Sequence, residues 1–140
     1  MIDYGIVDAN IFLRHLTREP AHQAEPATVF LRSLAEEDRR AVLLPTVVLE
    51  IVFILERQYA AERVDVYAAL QEVLLINGLH VQHQSQLLDA SETYRDQPGI
   101  SFADAYHCAM ARDFHEGVIV SFDRKLSGIG GVTRKEPGEV

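Results

Sequence analysis

The chain has 140 residues, 48% of them hydrophobic, and a formal net charge of −8 at pH 7. This length and composition predict one globular domain and exclude a disordered chain. No apolar run approaches the ~20 residues of a membrane span, residues 1–10 lack the pattern of a signal peptide, and Cys108, the single cysteine, excludes an internal disulfide. We therefore expect a cytoplasmic protein.

The first half of the chain alternates short apolar runs with segments of helical periodicity. Pro26 falls inside one of the helical segments, where it marks either a first turn or a kink. Thr46 is expected to cap the helix that follows the second apolar run. The predicted elements are strands at residues 4–8 and 41–45, and helices at residues 9–17, 20–38, 47–60 and 63–76.

The second half continues the alternation. Ser101 is expected to open a helix, and residues 127–132 ("SGIGGV") predict a turn, since they lack the Lys-Ser/Thr of a phosphate-binding loop. The remaining predicted elements are strands at residues 79–83, 117–123 and 132–136 and a helix at residues 85–96. Apolar strands that alternate with helices predict an α/β fold, a parallel sheet of four or five strands with helices on both faces.

Four acidic residues fall near the predicted ends of these elements. Asp8 closes the first strand and Asp123 closes the fourth, while Asp104 lies in the first turn of the helix before the fourth strand. Glu50 lies early in the helix after the second strand. Ligands of open parallel sheets bind outside the carboxyl ends of the strands, so we expect all four acids near one edge.

Each acid also has a structural interpretation. Asp8 fits an N-cap, Asp104 stands three residues after Ser101 at capping-box spacing, and Asp123 fits a turn cap. Glu50 is harder to explain, because its sequence neighbours are almost all apolar. A carboxylate in such surroundings is costly unless it pairs with an arginine or binds a metal.

Considered together, the acids predict a cation site. Two carboxylates ~4 Å apart repel each other by roughly 4 kcal/mol at an effective dielectric constant of about 20, and a bound cation relieves that repulsion. Oxygen ligands favour Mg²⁺ or Mn²⁺, ions that activate water for attack on phosphoryl groups. Asn10 and Ser121, each two residues from an acid, are candidates to orient a carboxylate. A cation would also compensate the negative net charge, which otherwise disfavours nucleic acid.

The segments "IVDANIFLR", "LPTVVLEIVFIL", "ISFADAYHCAMAR" and "VIVSFDRKL" resemble, in order and spacing, the four motifs of the PIN-domain nucleases, and most of all the VapC-type toxins of bacterial toxin–antitoxin pairs. The resemblance covers nearly the whole chain. It implies one PIN-like domain over residues 1–140 with strand order 3-2-1-4-5. It also implies a homodimeric Mg²⁺- or Mn²⁺-dependent endoribonuclease, inhibited by a small antitoxin, whose catalytic and metal-binding residues are Asp8, Glu50, Asp104 and Asp123.

Other residues near these motifs have weaker assignments. Arg14 and Arg124 are candidates for contact with the RNA backbone, and Lys125 is expected to be a solvated charge. His107 is expected to be packed or solvent-facing rather than a metal ligand, and Cys108 is expected in the core. The helix at residues 47–59 has more apolar surface than one core contact requires, which predicts a dimer contact or a contact with the antitoxin.

Three alternatives remain open. A Mg²⁺-dependent phosphatase would use an Asp-x-Asp pair, where this chain has Asp8 and Asn10. A non-catalytic module would use its acids to bind a basic segment of a partner. Within the nuclease class, the chain could be a housekeeping RNA-processing enzyme rather than a toxin.

Overall fold

The computed structural model describes residues 2–36 and 39–140, and the side chains of residues 5–36 and 40–140. The last two residues of the helix predicted at residues 20–38 lie outside the described residues. The chain forms two compact units, Met1–Gln84 and Ser85–Val140. None of the helices in the described ranges is long and apolar enough to cross a membrane.

The first unit is a three-stranded parallel sheet with four helices. Strand β2 (Arg39–Leu43) lies in the centre and pairs with β1 (Ile2–Ile6), where Ile6 lies beside Val42, and with β3 (Leu79–Val81), where Val42 lies beside His80. Helix α2 (Ala21–Glu36) continues through Pro26, although proline removes one backbone hydrogen bond. In chain order the elements are β1 (Ile2–Ile6), α1 (Ala9–Thr17), α2 (Ala21–Glu36), β2 (Arg39–Leu43), α3 (Pro45–Arg57), α4 (Arg63–Leu74) and β3 (Leu79–Val81).

The second unit contains two helices and a two-stranded parallel sheet, in which Ile119 lies beside Arg134. Gly117 begins the turn into this sheet with a φ of +80°, and a Cβ atom there would collide with the carbonyl of Gly131, so the turn requires glycine. The elements are α5 (Gln84–Asp96), α6 (Phe102–Phe114), β4 (Val118–Val120), a 3₁₀ helix (Arg124–Gly128), β5 (Thr133–Lys135) and a second 3₁₀ helix (Pro137–Glu139).

The α/β class is confirmed, and so are the neighbours β3–β2–β1 and β4–β5 of the predicted order. The strands form two sheets, of three and of two strands, where the sequence predicted one. The cap predicted at Thr46 is wrong. Leu44 occupies the N-cap and Pro45 the first helical position, where proline's fixed φ and missing N–H suit a helix start.

Each unit has its own apolar core. In the second unit the rings of Tyr94 and Phe102 meet edge to face, with their centroids 5.8 Å apart. Burial of such side chains is the main favourable contribution to folding. The largest fully buried side chains of the first unit are Phe12, Leu13, Leu34, Leu43, Ile51, Leu70 and Leu74, and those of the second unit are Tyr94 and Leu87.

Candidate functional site

Asp8 lies two residues beyond β1, at the N-cap of α1. Its backbone is extended, as an N-cap requires (φ −76°, ψ 156°), but its carboxylate makes no capping hydrogen bond. The side chain is exposed, while Val7 before it and Ala9 after it are buried. The N-cap interpretation therefore accounts for the backbone of Asp8 and leaves its carboxylate available to a ligand.

Glu50 lies on the exposed side of α3. Thr46, four residues before it, and Phe53, three residues after it, are exposed on the same side. Glu50 is exposed rather than enclosed by its apolar neighbours, because the helical period turns most of them toward the buried side of α3. They are Val47, Val48, Ile51, Val52 and Leu55, all buried.

The parallel pairing of β1 with β2 brings two helix starts to one edge of the first sheet. Asp8 follows the carboxyl end of β1, and α3 begins directly after the carboxyl end of β2. The amide of Val7 still donates to the carbonyl of Val42 (2.9 Å), so the pairing continues to the residue before Asp8. Within this unit, the starts of the helices that carry Asp8 and Glu50 therefore lie at the same edge.

Asn10 and Arg14 line a cleft of about 450 Å³ between α1 and α2. Asn10 is exposed, and Arg14 is half-buried and donates from Nε to Oε1 of Gln23 (2.8 Å). A neighbouring cleft of about 340 Å³ includes Asp8 and shares Ile11 with the first. A groove therefore runs along the α1–α2 pair and reaches Asp8.

Asp104 occupies the third position of α6. Ser101 is the N-cap, and its hydroxyl accepts a hydrogen bond from the Asp104 amide (3.1 Å), as the sequence predicts. The capping box is incomplete, because the Asp104 carboxylate returns no hydrogen bond to Ser101. His107 lies one turn further along α6 and is exposed, as expected. The Asp104 carboxylate is half-buried and unengaged in capping.

Asp123 does act as a turn cap. Its Oδ1 atom accepts a hydrogen bond from the Lys125 amide (3.0 Å) at the start of the 3₁₀ helix. The predicted strand at residues 117–123 is too long, since β4 ends at Val120. Ser121 still donates from its amide to the Lys135 carbonyl (2.9 Å), while its hydroxyl accepts from the Asp123 amide (3.0 Å). Ser121 therefore positions the backbone of Asp123.

Two residues beside Asp123 are exposed. Arg124 forms no ion pair with any side chain that the structure describes, so its guanidinium remains free for an anion. Phe122 exposes 73% of its surface. Phe122 is not among the predicted site residues, because apolar residues in a strand are expected to be buried. Its place between Ser121 and Asp123 was the available signal.

Cys108 lies inside the core of the second unit, as expected, with no exposed surface. Burial raises the pKa of its thiol; the Asp104 and Asp89 carboxylates act in the same direction, and the Arg112 guanidinium opposes them. The thiolate, which is the nucleophilic form, is therefore disfavoured. Cys108 is a packing residue.

The donors present are of the kind that hard divalent cations prefer. The carboxylates of Asp8, Glu50 and Asp104 form no hydrogen bond or ion pair with the described side chains, and Asp123 keeps one oxygen free. Within residues 2–36 and 39–140, no three His, Cys, Asp or Glu side chains are arranged to hold a metal ion. The oxygen donors themselves are chemically suited to Mg²⁺ or Mn²⁺.

Comparison with known proteins identifies the family. The PIN domain model matches residues 5–132, a range that includes all four acids. The chain therefore belongs to the PIN-domain family. It is also similar to a VapC ribonuclease of Aquifex aeolicus (strain VF5), with 24% identity over 125 residues that cover 89% of this chain and 91% of the relative. No solved structure gives a significant match.

Proposed function

We propose that this protein is a metal-dependent endoribonuclease that hydrolyses RNA phosphodiester bonds, and that it is the toxin of a type II toxin–antitoxin module. The observation that carries the proposal is the PIN domain match over residues 5–132, together with three carboxylates in that range that form no hydrogen bond or ion pair with the described side chains. The similarity to a VapC ribonuclease supports RNA as the substrate.

In this proposal Asp8, Asp104, Asp123 and Glu50 hold Mg²⁺, or Mn²⁺ in its place, and their assembly into one site is part of the proposal. When bound, the ion would polarise a phosphoryl oxygen and lower the pKa of water. Glu50 accepts a proton from the attacking water. Ser121 holds the backbone of Asp123, and Asn10, two residues from Asp8, would orient that carboxylate or a water on the bound ion.

The cationic side chains have a separate role in this proposal. Arg124, which forms no ion pair with any described side chain, contacts an RNA phosphate. Arg14 gives up its hydrogen bond to Gln23 to do the same. Because the net charge is −8, association with RNA depends on these local charges and on the bound cation rather than on the field of the whole protein.

The proposed protein partners are an antitoxin and a second copy of the chain, both in the cytoplasm. The groove along α1 and α2 includes Asp8 in its lining, together with Ile11 and Phe30. It suits an antitoxin segment with apolar side chains and a terminal cation. Phe53 on α3 is 56% exposed, which supports a contact between two copies there.

The test is a cleavage assay with metal controls. Purified protein is incubated with labelled single-stranded RNA or with p-nitrophenyl phosphate, each with Mg²⁺, Mn²⁺ or EDTA. We expect RNA cleavage with either metal, none with EDTA, and no release of p-nitrophenol. Release of p-nitrophenol without RNA cleavage would assign a phosphatase. Binding of a basic peptide with no turnover of either substrate would assign a binding module.

The role as a toxin has its own test. Induced expression of the chain is expected to arrest bacterial growth, and co-expression of a small DNA-binding protein encoded beside it is expected to restore growth. Growth that continues while the purified protein cleaves RNA would instead favour a housekeeping nuclease.

A further inference from the structure

Phe122 exposes a large part of its aromatic side chain to solvent. It is 73% exposed, whereas Phe114, another surface phenylalanine of the same unit, is 55% exposed. An aromatic ring in water forgoes the favourable burial that such a side chain usually obtains on folding. Its sequence neighbour Asp123 is one of the four acids. The exposed ring therefore lies next to a predicted metal ligand, where a bound substrate can contact it.

The backbone on both sides of Phe122 is fixed. The Ser121 amide donates to the Lys135 carbonyl (2.9 Å), and the Ser121 carbonyl accepts from Nη1 of Arg134 (2.8 Å). The Asp123 amide donates to the Ser121 hydroxyl (3.0 Å). These three bonds hold the turn with its ring outward, so binding on Phe122 requires little further ordering of the backbone.

The neighbours of Phe122 indicate the chemistry of its partner. Arg124 and Lys125 follow Asp123, are exposed, and form no ion pair with any described side chain. A partner that fits this turn has a flat apolar face for the ring and negative charge for the cations. A nucleotide of single-stranded RNA offers both, a base that stacks and a phosphate beside it.

We propose that Phe122 is a base-stacking residue: one unpaired nucleobase of the RNA substrate stacks on its ring while an adjacent phosphate contacts Arg124. The inference rests on the proposed ribonuclease function and adds a substrate preference to it. Because a base within a duplex has no free face, stacking on Phe122 selects single-stranded or looped RNA. It also fixes the position of the RNA chain relative to Asp123.

The experiment compares four substitutions at this position with a control. F122A and F122L remove the ring, F122W and F122Y keep an aromatic face, and F114A removes an exposed phenylalanine at the opposite end of α6 from Asp104. We expect F122A and F122L to lower kcat/KM on single-stranded RNA about five- to a hundredfold, mainly through KM. The aromatic variants are expected to stay within about threefold of wild type, and F114A unchanged.

A second arm identifies the stacked base. Substrates that lack one base at a time are tested with wild type and with F122A. At the stacked position, removal of the base is expected to reduce cleavage by wild type and to have little further effect on F122A, because the two changes remove the same contact. Equal losses for both proteins at every position would overturn the proposal.

Other outcomes also decide whether Phe122 stacks on a base of the RNA. If wild type cleaves RNA and F122L cleaves equally well, the stacking role is wrong and the ribonuclease function stands. If F122A changes the mass in solution from dimer to monomer, Phe122 belongs to a protein interface, which overturns the proposal. If wild type cleaves no RNA, the ribonuclease function fails. Fluorescence anisotropy with labelled single-stranded RNA then decides stacking alone, since unchanged binding by F122A would overturn it.

Discussion

Nε2 of His15 lies 3.0 Å from Oε1 of Glu72, which joins α1 to α4 inside the first unit. Nδ1 of the same ring lies 2.8 Å from the hydroxyl of Thr28 on α2. A carboxylate only accepts hydrogen bonds, so Nε2 carries a proton in this arrangement. One buried imidazole therefore links three helices and has both ring nitrogens satisfied.

We expect T28V to destabilise the first unit by about 1–3 kcal/mol, because it leaves Nδ1 of His15 buried without its partner. H15A should cost at least as much, since it also opens a cavity. E72Q is the matched control. Its amide oxygen accepts from Nε2, and Glu72 is 55% exposed, so the expected change is below about 1 kcal/mol. Urea unfolding measures all three, and a T28V variant as stable as wild type would contradict the link.

A substitution at Asp8 is expected to lower activity without changing stability. D8N keeps an excellent N-cap residue, and the Asp8 carboxylate makes no capping hydrogen bond. The free energy of unfolding should therefore change by less than about 0.5 kcal/mol. Cleavage of RNA should fall at least a hundredfold, because loss of a metal ligand exceeds the 10–100-fold effect of losing its supporting partners.

E56Q is a control for both measurements, since it removes one carboxylate from the exposed surface of α3. It is expected to cleave RNA like wild type, whereas E50Q, six residues earlier on the same helix, is expected to lose activity. Full activity in D8N or E50Q would show that the substituted acid is not part of the catalytic site.

The order of the elements could be predicted from the sequence, because apolar runs and helical periodicity alternate along the whole chain. The predictions that were wrong concern the ends of elements, where neighbouring residues compete for the same position or hydrogen bond. Pro45 takes the first helical position and displaces the cap predicted at Thr46. Ser121 and Asp123 bond to their own turn, which ends β4 at Val120.

The sequence alone proposes which residues form the candidate site, but it does not determine the surroundings of their side chains. Asp8 and Asp123 follow strands and precede helices in the same way, yet only Asp123 uses its carboxylate as a cap. Whether such a carboxylate turns back to the amides depends on side-chain rotamers, which residue type does not fix. Glu50 is exposed because most of the apolar residues around it lie on the buried side of α3.

Cys108 should be unreactive and dispensable for cleavage. Burial raises the pKa of its thiol. In the folded protein the thiolate therefore stays scarce until the pH rises above the ordinary pKa of a cysteine thiol. At pH 8 we expect reaction with a disulfide reagent to be more than about tenfold slower than in urea. C108A should retain RNA cleavage. Rapid labelling of the folded protein, or loss of activity in C108A, would show that Cys108 takes part in chemistry.

Arg134 provides a test of how the turn that carries Asp123 is positioned. Its side chain is 14% exposed, and it donates from Nη1 to the Ser121 carbonyl (2.8 Å) and from Nε to the Ser127 hydroxyl (3.0 Å). R134Q cannot make both bonds, so the turn loosens. We expect kcat/KM to fall about 10–100-fold and half-maximal cleavage to require more Mg²⁺.

The shift in Mg²⁺ requirement distinguishes positioning from general destabilisation, which would lower the melting temperature and leave the metal dependence unchanged. R95Q is the matched control, because Arg95 lies in the same unit and donates to Asp96 within α5. It is expected to keep the Mg²⁺ dependence of wild type. If R134Q keeps that dependence as well, Asp123 does not need this support in order to act, and Arg134 only stabilises the second unit.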